Sequence, residues 1–309
     1  MTTEWFVLAR AVHFGACLLL FGFCAFDRFV ASAVRRERAE GSRLGWWCLA
    51  LLVAAMASGL AWFALATISM SGGPLGLDVL GVVWNQTQFG ALAKWRLLLW
   101  LVTAAGAVSL AGCTMKARRR DKLVWFELLG SGLLLGSLAW AGHGLVGQPA
   151  QWHLAADVLH LLAAGLWPAG LLPLALRFRE LKRVSGPERG IMPGALVRRF
   201  SAVSLGSVAA LAATGFVNAC YLVGTWGNLV EKPYGQWLMV KLGLFGGAVA
   251  LGAVNLLRLK PKLCGQDASA AEKERAAARL EVNVRVELGL GMLIVVVVAV
   301  LGMLAPAIG

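Results

Sequence analysis

The chain has 309 residues, 59% of them hydrophobic, and a mean hydropathy of +0.72. A soluble domain of that length cannot enclose so much apolar surface, whereas lipid accepts it, so the composition excludes a soluble protein and implies a polytopic membrane protein. The net charge of +13 sits in short basic connections between apolar runs, without aromatic interleaving, which excludes nucleic acid as a partner and leaves the lipid bilayer.

A membrane-crossing helix needs about 20 apolar residues. Eight segments qualify, at 5–26, 45–69, 89–113, 124–146, 152–176, 201–223, 236–258 and 285–306. The expected fold is all-α: one integral membrane domain over 1–309, built as a bundle of eight transmembrane helices. The first segment lacks a small-residue cleavage site and reads as a true span rather than a removable leader. It carries His13, with Cys17 at i+4 on the same face and Cys24 seven residues deeper on that stripe. The second contains "AMASGLAWF" around Gly59, and the third opens with "FGALAKWRLLLW", which holds Arg96. Between the fourth and fifth runs "GHGLVGQPAQWHLAADVLHLL", at 142–162, gathers three of the four histidines, His143, His153 and His160, with Asp157 at i+4 from His153. The sixth contains "LAATGFVNA" around Gly215, and the seventh opens with "YGQWLMVKLGLF", which holds Lys241. Residues 267–285 read as an amphipathic cytoplasmic helix that leads into the eighth span.

Lys and Arg crowd the connections after the odd-numbered spans, whereas those after the second, fourth and sixth hold only Lys232. That bias directs the basic connections to the cytoplasm and both termini to the periplasm. His13 and His160 each follow a tryptophan, Trp5 or Trp152, by eight residues, about 12 Å of helix, so both imidazoles are expected at one depth in the outer half. All four histidines fall in that half, and ionisable groups inside a bilayer mark sites or pathways.

The two halves echo each other, with His13 against His160, Gly59 against Gly215, Phe89–Gly90 against Tyr234–Gly235 and Arg96 against Lys241. The expectation is a 4+4 parallel repeat about an axis along the membrane normal, with His13 and His160 facing each other across the repeat interface. Arg96 and Lys241 then either snorkel to the headgroups or pair with Asp157 or an anionic ligand.

Imidazole suits copper, zinc, iron and haem, while thiolate and thioether favour Cu(I). The metal candidates are His13, His143, His153, His160, Cys17 and Cys24. Met70, Met239 and Met303 lie near outer span ends, and Met56 and Met292 lie deeper. Taken singly, each Met or Cys reads first as core packing. An alternative is haem b, held axially by two of His13, His160 and His143, in a protein that passes electrons to periplasmic Cu(II) or uses quinone. The six cysteines form no CxxC, and no HExxH, Walker A, GxSxG or dinucleotide fingerprint occurs. No catalytic residue is assigned: the chain reads as a transporter, with a haem-dependent oxidoreductase as the enzymatic alternative.

"GHG" at 142–144, "ADVLHLLAAGLWPAGLLPL" at 155–173, "RRFSAVSLGSVAALAATGFVNA" at 198–219, "YGQWLMVKLGLFGGAVALGAVN" at 234–255 and "RVELGLGMLIVVVVAVLGMLAP" at 285–306 resemble the CopD copper-resistance and copper-uptake family, with its PcoD- and YebZ-like members. The resemblance spans essentially the whole chain and is strongest from Gly142 onward. It implies an eight-span protein of the bacterial inner membrane that handles copper, as Cu(I) or Cu(II). It further implies passage from periplasm to cytoplasm beside a periplasmic copper carrier of the CopC type. The family pattern has "WLGGL" where this chain has "WPAGL" at 167–171, so Pro168 is expected to kink the fifth span just past His160.

Overall fold

Backbone amides have no water to bond in a bilayer, so a chain this apolar satisfies them within helices. The structure, a computed structural model, describes residues 2–33, 40–112, 116–142, 144, 146, 148–181, 188–265 and 268–308, and no strand occurs among them. The α-helices are α1 (Thr2–Ala25), α2 (Glu40–Ser71), α3 (Leu77–Gln86), α4 (Gln88–Gly112), α5 (Ala117–Gly136) and α6 (Ala150–Leu166). They continue with α7 (Leu171–Leu181), α8 (Glu188–Leu222), α9 (Trp226–Glu231), α10 (Pro233–Val254), α11 (Lys260–Cys264) and α12 (Ala270–Leu301).

Eight stretches are long and apolar enough to cross a membrane: Thr3–Val30, Arg43–Ser71, Gln88–Gly112, Ala117–Ala141, Ala150–Glu180, Gly194–Leu222, Pro233–Cys264 and Ala271–Leu301. Each overlaps one expected segment. The fourth starts earlier than expected, because Arg and Lys are good helix formers and the basic run 118–122 continues the helix. Its C-terminal end tightens into a 3₁₀ turn, Ser137–Ala141. The eighth also starts earlier: α12 runs unbroken from a capping box in which Ser269 and Glu272 satisfy each other's end groups. The expected amphipathic segment is therefore the first part of the same continuous helix, and Asp267 lies outside the described residues. The fifth span is broken rather than kinked: α6 stops at Leu166, residues 167–170 turn, and α7 restarts at Leu171. Pro168, which has no N–H to give the ladder, lies in that turn.

Two short helices, α3 and α9, occupy the connections after the second and sixth spans. Both press on a glycine of the next span. A Cβ on Gly90 would strike the Val83 and Trp84 carbonyls, and one on Gly235 would strike those of Asn228 and Leu229.

Helix α1 stands at the centre, packed on α2, α5, α6 and α12. One core gathers Phe14, Cys17, Leu20, Leu52 and Leu135 around it, and a second gathers Trp167, Leu171, Phe200 and Val284. Helices α1 and α6 cross where a Cβ on Gly22 would lie 2.9 Å from the Gly165 carbonyl oxygen, the close approach that small residues permit between membrane helices. The first and seventh spans each pass through one π-helical turn, Phe26–Val30 and Asn255–Leu259.

Candidate functional site

His13 is buried between α1, α2 and α4. Its Nδ1 lies 2.9 Å from the Ala55 carbonyl oxygen, an acceptor only, so Nδ1 carries the proton and donates it. Nε2 is left with its lone pair and accepts from Arg96 Nη2 at 2.7 Å. The same Nη2 reaches Cys17 Sγ at 3.6 Å, and Cys17 Sγ lies 3.9 Å from His13 Nε2. One guanidinium nitrogen thus sits between an imidazole nitrogen and a sulfur one turn apart on α1. The other arm of Arg96 donates to the Leu134 carbonyl at 2.7 Å and to the Ser137 hydroxyl. Arg96 neither snorkels outward nor pairs with Asp157, because these acceptors draw it inward. Trp62 tilts against the His13 ring at 5.5 Å, and Arg10 lies over Trp62 at 4.9 Å.

The second half repeats the pattern with different groups. Thr214 gives its hydroxyl proton to the Ala210 carbonyl at 2.6 Å, so its oxygen accepts from His160 Nδ1 at 2.9 Å. His160 Nε2 then faces Lys241 Nζ at 3.4 Å. Gly59 and Gly215 make room for the two rings: an added Cβ would come within 3.0 Å of His13 Cε1 and 3.5 Å of His160 Cε1. Asp157 accepts from Asn218 at 3.1 Å and lies within electrostatic reach of Lys241 and His153.

His153 is buried near the start of α6, donates Nδ1–H to the Val146 carbonyl at 2.8 Å, and stacks on Tyr221 at 4.8 Å. His143 lies outside the described residues. The ring hydrogen bonds of His13 and His160 stay within their own halves, so each imidazole has its own set of partners. Among the described residues no group of three or more His, Cys, Asp or Glu converges as metal ligands. The smaller convergence is His13 with Cys17. Cys24 pairs instead with Cys48, Sγ to Sγ at 3.7 Å. Met70, Met239, Met292 and Met303 are turned to the outside of the bundle, where lipid receives a thioether as readily as a core does, and they line no shared path.

Sequence reasoning passed over Arg10, Asp27, Glu127 and Glu287, all buried polar groups within spans. Asp27 is salt-bridged to Arg120 at 2.9 Å, and Glu287 accepts from Asn255 at 2.5 Å. A charged residue inside an apolar run was the available signal.

Comparison with known proteins gives the family of the chain. Residues 1–152 match the model described as copper resistance protein D-like, N-terminal domain, and residues 194–301 match that of copper resistance protein D. Copper resistance protein D of Pseudomonas syringae pv. tomato is 33% identical over 57% of this chain and 56% of its own length. Copper transport protein CutJ of Bacillus subtilis is 31% identical over 52% of this chain and 30% of its own length. Inner membrane protein YebZ of Escherichia coli is 28% identical over 86% of this chain and 88% of its own length. The chain thus spans about half of the first relative and less than a third of the second. With eight membrane-crossing helices and matches in both halves, this chain belongs to the copper resistance protein D family.

Proposed function

We propose that the chain admits copper from the periplasm and passes it toward the cytoplasm across the bacterial inner membrane. Both termini are periplasmic in this reading, and the two four-span halves are related by a pseudo-twofold axis along the membrane normal. The observation that carries it is the convergence of His13 Nε2 and Cys17 Sγ, 3.9 Å apart, on a single cationic group.

Transition-metal bonds of about 2.0 Å to nitrogen and about 2.3 Å to sulfur separate the two ligand atoms by about 4.3 Å when straight, and by less when bent. The spacing therefore suits a bent two-ligand Cu(I) site once the guanidinium swings aside. The Nδ1–H bond to Ala55 fixes the tautomer that leaves Nε2 free to ligate, as partner groups do for metal-bound histidines. Cu(I) replaces the thiol proton of Cys17, which leaves with the water that the ion sheds on entry, and thiolate, neutral imidazole and Cu(I) together carry no net charge. Such a group is far less costly in an apolar interior than a bare ion. A periplasmic carrier of the CopC type is the partner that fits entry from this side.

The second half holds Ala164 at i+4 from His160, where the first half holds Cys17, so it lacks the soft ligand. Copper follows the first half, and His160 with Lys241 braces the second. Haem b does not fit His13 with His160: axial ligation needs two Nε2 atoms facing one space, whereas each Nε2 here is turned to a cation of its own half.

Purified protein in liposomes, with external Cu(I) and an internal Cu(I) indicator, tests the reading. His13→Ala and Cys17→Ala are expected to slow entry at least about tenfold, the scale of losing a metal ligand or its support. His160→Ala is expected to keep most of the rate. Undiminished entry in His13→Ala would sink the proposal.

A further inference from the structure

Deeper in the first half lies a second pair of soft ligands. Cys24 of α1 and Cys48 of α2 are fully enclosed free thiols with Sγ atoms 3.7 Å apart. Cys24 stands 11 residues below His13, so it lies on nearly the same face of the helix, about 16 Å further along. Cys48 lies five residues inside the start of its span at Arg43, so the pair sits near the end of the bundle that bears the basic connections. With metal–sulfur bonds of about 2.3 Å, two sulfurs stand about 3.8 Å apart at tetrahedral angles and about 4.0 Å apart at trigonal ones. The observed gap is therefore close to that of a pair already set for one soft ion.

An independent feature of the same region points to a cation. Glu127 of α5 is 0% exposed, and neither carboxylate oxygen has a hydrogen-bond partner among the described residues. Its Oε1 fits a notch on α4 that only Gly106 leaves open, since a Cβ there would strike it. Glu127 and Asp27 both lie within electrostatic reach of Cys48. Asp27 already holds Arg120, so Glu127 is the carboxylate left to answer a charge that arrives. Buried carboxylates without partners are rare and costly, and they call for such a role.

We propose that Cys24 and Cys48 form an inner Cu(I) site, the second station on the path that begins at His13 and Cys17, with Glu127 accepting the proton released there. The inference rests on the copper reading of the first half. Two Cu–S bonds form, one S–H bond breaks, and the proton forms an O–H bond on Glu127. Copper stays Cu(I), and no electron moves. One positive ion meets one carboxylate, and the products are a neutral thiolate–copper–thiol group and a neutral acid. The region thus gains no net charge beyond the ion that its carboxylate balances.

The test loads full-length protein in lipid nanodiscs with Cu(I) against a chromogenic Cu(I) chelator, anaerobically, and then records copper X-ray absorption. Wild type is expected to hold two Cu(I) per chain with sulfur and nitrogen ligands near three to one. Cys24→Ala and Cys48→Ala are each expected to hold one, with sulfur and nitrogen near one to one. His13→Ala is expected to keep an all-sulfur ion. The wild-type spectrum decides the matter even where a variant fails to fold. One Cu(I) with equal sulfur and nitrogen in wild type overturns the inner site and leaves the outer one standing. One Cu(I) with sulfur alone upholds the inner site and sinks the outer. No retained Cu(I) overturns both.

Discussion

At the scale of single residues, the site is defined by which nitrogen of each imidazole holds its proton. The Ala55 carbonyl and the Thr214 hydroxyl, whose own proton goes to Ala210, each demand a donor, so both rings keep Nδ1–H and offer Nε2 to a cation. Nitrogen NMR of selectively labelled protein is expected to show His13 and His160 as neutral Nδ1–H tautomers. A protonated Nε2 at His13 would contradict the arrangement. The two rings differ in clearance, and this yields a graded outcome. Gly59→Ala places a methyl group at 3.0 Å from the His13 ring, tighter than ordinary contact, while Gly215→Ala leaves 3.5 Å at His160. Copper entry into liposomes is expected to fall in Gly59→Ala and to stay near wild type in Gly215→Ala. His13 and Cys17 were legible in the sequence because i+4 spacing on one helix is a local property. Their partners were not, because Ala55 and Arg96 come from two other spans, and no sequence spacing states how helices are rotated about one another.

At the scale of elements, apolar run length located every span because lipid demands one property from each. Boundaries drifted where polar residues remain helical. The basic run before the fourth span has the composition of a connection, yet Arg120 lies inside the bundle on Asp27, which stands in the π-helical turn that ends α1. Such a turn inserts one extra residue and rotates the next part of the helix, and π-turns are often found at functional positions. Both partners of this ion pair are largely enclosed, with side chains 12% and 10% exposed. Losing one partner of a buried pair costs about 3–5 kcal/mol, because the other charge stays behind in a poor solvent. Asp27→Asn and Arg120→Gln are therefore each expected to lower the unfolding temperature in detergent markedly. The double variant, with neither charge, is expected to recover much of the loss. Equal loss in the double and single variants would show that Asp27 and Arg120 are held by other contacts.

At the scale of the whole molecule, the halves share positions and differ in chemistry. His13 and His160 each lie ten residues into their spans, and Arg96 and Lys241 each lie eight residues into theirs. Glu127 and Glu287 each lie 14 residues from the C-terminal end of theirs. The divergence is selective. The second half has Ala164 in place of the thiol at Cys17, and Asn255 holds Glu287 where Glu127 has no hydrogen-bond partner among the described residues. If paired imidazole and thiol make the first half a copper path, supplying the missing sulfur should make the second half bind copper too. Ala164→Cys puts a thiol at i+4 from a histidine whose tautomer and cationic neighbour already match those of His13. This variant is expected to hold one Cu(I) per chain beyond wild type in the chelator competition, with added sulfur and nitrogen coordination, and to lose it again when His160→Ala is combined. No added equivalent in a well-folded Ala164→Cys would mean that a histidine, a facing cation and a thiol one turn below do not suffice. The ability of the first half to take copper would then have to come from features it does not share, chiefly the Trp62 and Arg10 pair beside His13.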